Sequence, residues 1–186
     1  MLNFVAYTGL FRRGGEVAPS TLATAKQMIA ACEWYQVQCQ FFLSPLHADV
    51  LYAMYYLGLW PELEKLKRGL AKLAPTYDFT RYNSVIEERI GPVVYWPEAF
   101  HYSPALGELV AKAMTGLRTA DMPDNFGVVL NPSNVEASLA AWRAERDTWI
   151  AAHPDIVERM RKADEIFRNG VSFEAVTDAE IAAGGW

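Results

Sequence analysis

The chain has 186 residues, 52% hydrophobic and 21% charged, with 17 Lys+Arg against 22 Asp+Glu for a net charge of −5. So much apolar surface argues against disorder, the length suits one domain of ~100–200 residues, and an acidic chain lacks the phosphate-neutralising charge of a nucleic-acid binder. No apolar run approaches the ~18–20 residues that span a bilayer, and Arg12 and Arg13 follow the first apolar stretch instead of preceding it as in a signal peptide, so the sequence reads as cytoplasmic.

Asn3 to Tyr7 is a short apolar run that reads as a strand. Pro19-Ser20 opens a helix with Leu22, Ala25, Ile29 and Cys32 along one side. Val37 to Leu43, aromatic and β-branched, predicts a strand of a covered parallel sheet. A helix follows on Leu46, Val50, Ala53 and Leu57, stopped at Gly58. Pro61 starts another, whose stripe is Leu63, Leu66, Leu70 and Leu73, with Glu64 and Arg68 paired on the wet side. Residues 76–102 are polar, aromatic and without helical period, apart from a short strand read at Val93–Trp96; such a connection in a compact domain is usually functional or mobile. Ser103-Pro104 caps a helix that ends at Gly116, and Phe126–Leu130 reads as a strand. Ser133-x-x-Glu136 predicts a capping box before a helix carrying Leu139, Trp142 and Trp149. Pro154 starts the next helix, and Thr177-x-x-Glu180 caps a last short turn. Arg143 to Asp147 reads as a solvated helix face and His153 as a helix N-terminal residue. The two cysteines, Cys32 on a helix and Cys39 in a strand, read as buried thiols, not a disulfide. The order of elements predicts an α/β layer architecture.

Three constellations have chemistry within reach. Glu98-Ala-Phe-His101 sits directly before a helix start, and a carboxylate three residues from a histidine can accept its Nδ1–H and leave Nε2 to take a proton from a hydroxyl. The plainer alternative is a solvated glutamate with the histidine packed among Trp96, Phe100 and Tyr102. Ser44-Pro-Leu-His47-Ala-Asp49 follows the best strand, where α/β folds build their sites; the alternative is helix capping. In Phe79-Thr-Arg-Tyr82-Asn83, the asparagine can donate to an oxyanion or fix a turn. His47, Asp49, Glu98 and His101 are ligand types for Zn²⁺, but the spacing carries no metal signature, so neither metal nor cofactor is expected.

The segments Phe42–Asp49, Tyr77–Ser84 and Trp96–Gly107, in this order and at these gaps, resemble the C-terminal half of SGNH (GDSL-type) hydrolase-like proteins, in particular bacterial members related to alginate and peptidoglycan O-acetyltransferases. The resemblance covers roughly residues 20–115. It implies a partial three-layer α/β/α sandwich with a small parallel sheet over residues 1–116 and a helical extension over 117–186. It also implies acyl-ester hydrolysis or transfer, with His101 as general base and Glu98 where the family has aspartate, and with Ser44, His47, Tyr82 and Asn83 facing a small-molecule or carbohydrate acyl ester. Two departures stand out. Glu98 is one methylene longer than the family's acid, and no G-D-S nucleophile block occurs in the chain, as though the family's front third or half were removed. The nucleophile then has to come from elsewhere, with Ser44, Ser84, Ser103 and a serine of a second chain as candidates. The alternative reading is a non-catalytic relative that associates with a partner, or with itself, through an open sheet edge. Full-length relatives of this kind are membrane-anchored or export-facing.

Overall fold

A computed structural model describes residues 19–169; the strand read at Asn3–Tyr7 and the cap at Thr177 lie outside them. Six helices and three strands follow one another as α1 (Pro19–Trp34), β1 (Phe41–Leu43), α2 (Ala48–Tyr56), α3 (Trp60–Leu73), β2 (Thr76–Asp78), α4 (Pro104–Met114), β3 (Val128–Leu130), α5 (Val135–Ala152) and α6 (Pro154–Arg168). The fold is α/β with a helix-rich C-terminal part. Its sheet runs β1-β2-β3. β1 and β2 are parallel, with Phe42 opposite Tyr77. β3 returns antiparallel to β2, with Val129 opposite Tyr77, so the parallel arrangement extends over the first pair only. Val93–Trp96 forms no strand.

Local chemistry sets the helix ends. Gly58 and Gly116 both take φ of 81°, and the N–H groups of Leu59 and Leu117 reach back to the carbonyls of Met54 and Lys112. That six-to-one bond around a left-handed residue closes orphan carbonyls, and glycine adopts it without a Cβ penalty. The expected capping box of α5 does not form. Asn134 is the N-cap, Ser133 Oγ donates to Asn131, and the Glu136 carboxylate takes a forked bond from Arg68 of α3 at 2.7 and 3.0 Å. A charged fork outcompetes a neutral cap.

Two faces read as solvated are internal in part, Asp147 of the second staying exposed. The wet side predicted for α3 is buried through Glu64 (7% exposed) and Lys67 (2%), because α5 lies over it while the leucine side of α3 stays half-buried. Glu64 accepts both Nε and Nη2 of Arg143 at 2.6 Å and the Trp60 indole N–H at 3.0 Å. Within the supposed wet run, Arg146 lies over the rings of Tyr55 and Trp60 at 4.1 and 4.7 Å, and Glu145 clamps the buried Arg81. The apolar centre holds Phe79, Trp96, Phe126, Leu130, Leu139 and Trp142, each at 1% exposure or less.

Cys32 and Cys39 form a disulfide, which corrects the thiol reading. The strand begins at Phe41, so Cys39 lies before it. Gln36, at φ 54°, reverses the chain, and the Val37 N–H bonds the Cys32 carbonyl at 3.0 Å, which brings position 39 back beside α1. A bridge across a separation of seven residues removes loop-closure entropy from the unfolded chain worth about 2.5 kcal/mol. Cys32→Ser/Cys39→Ser is therefore expected to lose about that much in urea unfolding, and the oxidised wild type should fall to the same midpoint on full reduction.

Candidate functional site

The connection between β2 and α4 lacks regular structure yet is tightly fixed. Trp96 is fully buried, and its indole N–H donates to the Val85 carbonyl at 2.7 Å. The Glu88 carboxylate accepts the N–H groups of Tyr95 and Trp96 at 2.6 and 3.3 Å. Ser103 donates its hydroxyl to the Val94 carbonyl at 2.5 Å and caps α4 by accepting the Leu106 N–H at 3.4 Å. Its oxygen is thus committed to structure.

On this frame Glu98 and His101 meet. Nδ1 of the imidazole contacts Oε1 of the carboxylate, while Oε2 accepts the Phe100 N–H at 3.1 Å. Slight burial pulls the Glu98 carboxyl up, but the imidazole and the Phe100 N–H outweigh it and hold the carboxyl below its ordinary range. The His101 side chain is 85% exposed, so it does not pack among Trp96, Phe100 and Tyr102; its Nε2 faces solvent. Chemically this is an oriented imidazole that can accept a proton at Nε2.

The other predicted residues go elsewhere. His47 is buried and fully committed: Nε2–H donates to the Glu88 carbonyl at 2.8 Å, and Nδ1 caps α2 by accepting the Asp49 N–H at 3.2 Å. Asn83 closes a turn, accepting the N–H groups of Val85 and Ile86 and donating to the Arg81 carbonyl. Ser44 is exposed after β1. Tyr82 is 4% exposed, and its hydroxyl has no hydrogen-bond partner among the described residues. Its ring helps line an open cleft of about 380 Å³ together with Glu87, His153 and the α5 face bearing Glu145, Thr148 and Trp149. Reading for catalytic motifs misses this face. Its signal is the helical spacing of Glu145, Thr148, Trp149 and Ala152 at i, i+3, i+4 and i+7, which places one acid, one hydroxyl and one indole on a single side.

Among the described residues no three His, Cys, Asp or Glu side chains group to hold a metal ion, and no helix is long and apolar enough to cross a membrane. Comparison with family models, curated proteins and solved structures returned no match.

Proposed function

We propose that the chain performs SGNH-like acyl-ester hydrolysis or transfer through the His101–Glu98 pair. The observation that carries the reading is the Glu98 carboxylate on His101 Nδ1, with Nε2 directed to solvent. In the reaction Nε2 takes the proton of an attacking hydroxyl as its oxygen bonds to the ester carbonyl carbon. The imidazolium then returns that proton to the departing alcohol oxygen when the old ester bond breaks. Glu98 fixes the ring and stabilises its charged form. Water gives hydrolysis; an acceptor alcohol gives transfer. The similarity of the three quoted segments to SGNH proteins supports the same assignment. The Cys32–Cys39 bridge favours an oxidising compartment over the cytoplasm.

General-base assistance contributes ~10²–10⁴-fold. Hydrolysis of p-nitrophenyl acetate should fall at least ~100-fold in His101→Ala and about tenfold in Glu98→Gln, which keeps a hydrogen-bond acceptor but loses the charge. Equal rates for wild type and His101→Ala would remove the imidazole from the chemistry. What would then stand is an interaction module, favoured by the exposed Trp34 (82%) and Tyr35 (73%) leading into β1, an outer strand of the sheet.

A further inference from the structure

Helix α1 is seated more loosely than any other helix of the fold. From Thr21 to Trp34 none of its residues is buried, and only Leu22, Ala25, Ile29 and Cys32 reach half-burial. Each of the other five helices buries three residues or more. Its packing partner is α3, where Leu22 lies against Gly69; a Cβ added to that glycine would stand 2.6 Å from Leu22 Cδ1. Among the described residues, no hydrogen bond or ion pair joins the α1 side chains to another element. A helix of 16 residues is marginal in water without a packed face, and elements with few buried apolar contacts are the first to open locally.

The firm attachment of α1 is covalent. Cys32, in its last turn, is bonded to Cys39, just before β1, and β1 is held in register on β2. Without that bond the helix is tied to the sheet only by the backbone of residues 35–40. A shorter tether raises the effective concentration of two surfaces for each other, so the bridge favours docking. It is also open to reagents. Residues 33–40 are all exposed, and both cysteines line a groove of about 330 Å³ with Gln36, Val37 and Phe41. Exposed bridges are the labile and regulatory ones, whereas sheltered bridges resist exchange.

We propose that Cys32–Cys39 is a thiol–disulfide exchange site whose redox state decides whether α1 stays docked on α3. The co-reactant is a dithiol. One of its thiolates attacks Sγ of Cys39, the more exposed residue of the two; the S–S bond breaks, and its electron pair leaves on Cys32 Sγ, which takes a proton. The second thiolate of the reductant attacks its own sulfur in the mixed disulfide and releases Cys39 as a thiolate, which is protonated in turn. The dithiol ends as a disulfide, and the protein gains two electrons and two protons. Freed from the strand, α1 parts from α3 and uncovers the face around Gly69.

Hydrogen–deuterium exchange of the full chain, read by mass spectrometry before and after reduction with millimolar dithiothreitol, tests this. Alkylation should count both thiols free in the folded protein. Amides of α1 should then exchange roughly tenfold faster or more, while those of β2 and α5 stay within about twofold. Cys32→Ser/Cys39→Ser should show the fast α1 without reductant and no further change with it. Gly69→Ala probes the converse. Its Cβ displaces Leu22 although alanine suits the α3 helix itself, so docking weakens. Coupling between two events is reciprocal; the balance between bridge and thiols in mixtures of reduced and oxidised dithiothreitol should therefore shift several-fold toward thiols. A bridge that resists dithiothreitol until the protein unfolds, α1 exchange unchanged once both thiols are free, β2 and α5 accelerating together with α1, or a Gly69→Ala balance equal to wild type would each overturn the proposal.

Discussion

Asp78→Ala is expected to lower the unfolding free energy by about 3–5 kcal/mol, because it strands a buried ammonium. Lys67 and Asp78 are 2% and 1% exposed, with Nζ to Oδ2 at 2.7 Å. Asp78 Oδ1 accepts both the N–H and the hydroxyl of Thr80, at 3.0 and 2.7 Å. Burial alone would raise the Asp78 carboxyl, but Lys67 and the two Thr80 donors overcome it and hold the pKa below the usual carboxylate range. The sign of the pH effect follows. An acid whose folded pKa is depressed stabilises the fold above its unfolded value of ~3.9 and loses that contribution as pH falls through the folded value. Acid unfolding of the wild type should therefore carry an Asp78 component that is absent from the variant. The double change Lys67→Met/Asp78→Asn discriminates further. Asparagine keeps an oxygen for both Thr80 donors and no charge is left buried, so the double variant should lie within about 2 kcal/mol of wild type and above Asp78→Ala. A double variant as unstable as Asp78→Ala would mean that the ion pair itself, and not an unpartnered charge, sets the cost.

What could be read in advance divides by the range of the interaction responsible. Helix starts at Pro19, Pro104 and Pro154 and stops at Gly58 and Gly116 are local backbone chemistry, and the sequence carries them. The pairing of Glu98 with His101 is local as well, since three residues of chain suffice to bring carboxylate and ring together. The misread positions depend on distant partners. Glu64 keeps its i,i+4 pair with Arg68 at 3.3 Å, but the pair is not on the wet side, because Arg143, 79 residues on, donates to the same carboxylate and buries it. Ser133 and Glu136 spell a capping box that Arg68, 68 residues away, dismantles. His47 carries every mark of a site residue at the end of a strand, yet the Glu88 carbonyl takes its free ring nitrogen. Cys39 reads as a strand residue only while the turn at Gln36 is unseen. Polar residues in this chain are poor guides to its surface, because helices α3 and α5 bury matched charges between them.

Trp142→Ala is expected to cost about 4–5 kcal/mol, the upper range for truncating a buried aromatic, out of the 5–15 kcal/mol that a domain typically holds. Its ring stacks on Trp60 at 3.8 Å, and Lys67 Nζ lies 3.0 Å from its centroid on the way to Asp78. Its indole N–H bonds the Thr80 carbonyl at 2.8 Å, directly past β2, so one side chain joins α3, α5 and the strand exit. Removing it leaves a cavity, an orphaned buried carbonyl and a lysine with water at its flank, and each term adds to the loss. Trp142→Phe keeps an aromatic face for Trp60 and Lys67 and forfeits the N–H bond and part of the volume, so about 1–2 kcal/mol is expected. Urea unfolding should show both as shifts of midpoint at constant m-value. If the phenylalanine variant proved as unstable as the alanine one, the indole hydrogen bond would be what fixes α5 to the strand exit, and stacking would be secondary. The α5 face that lines the Tyr82 cleft begins one turn beyond Trp142. That ring therefore anchors the helix whose Trp149 packs on the Tyr82 ring, centroids 5.5 Å apart.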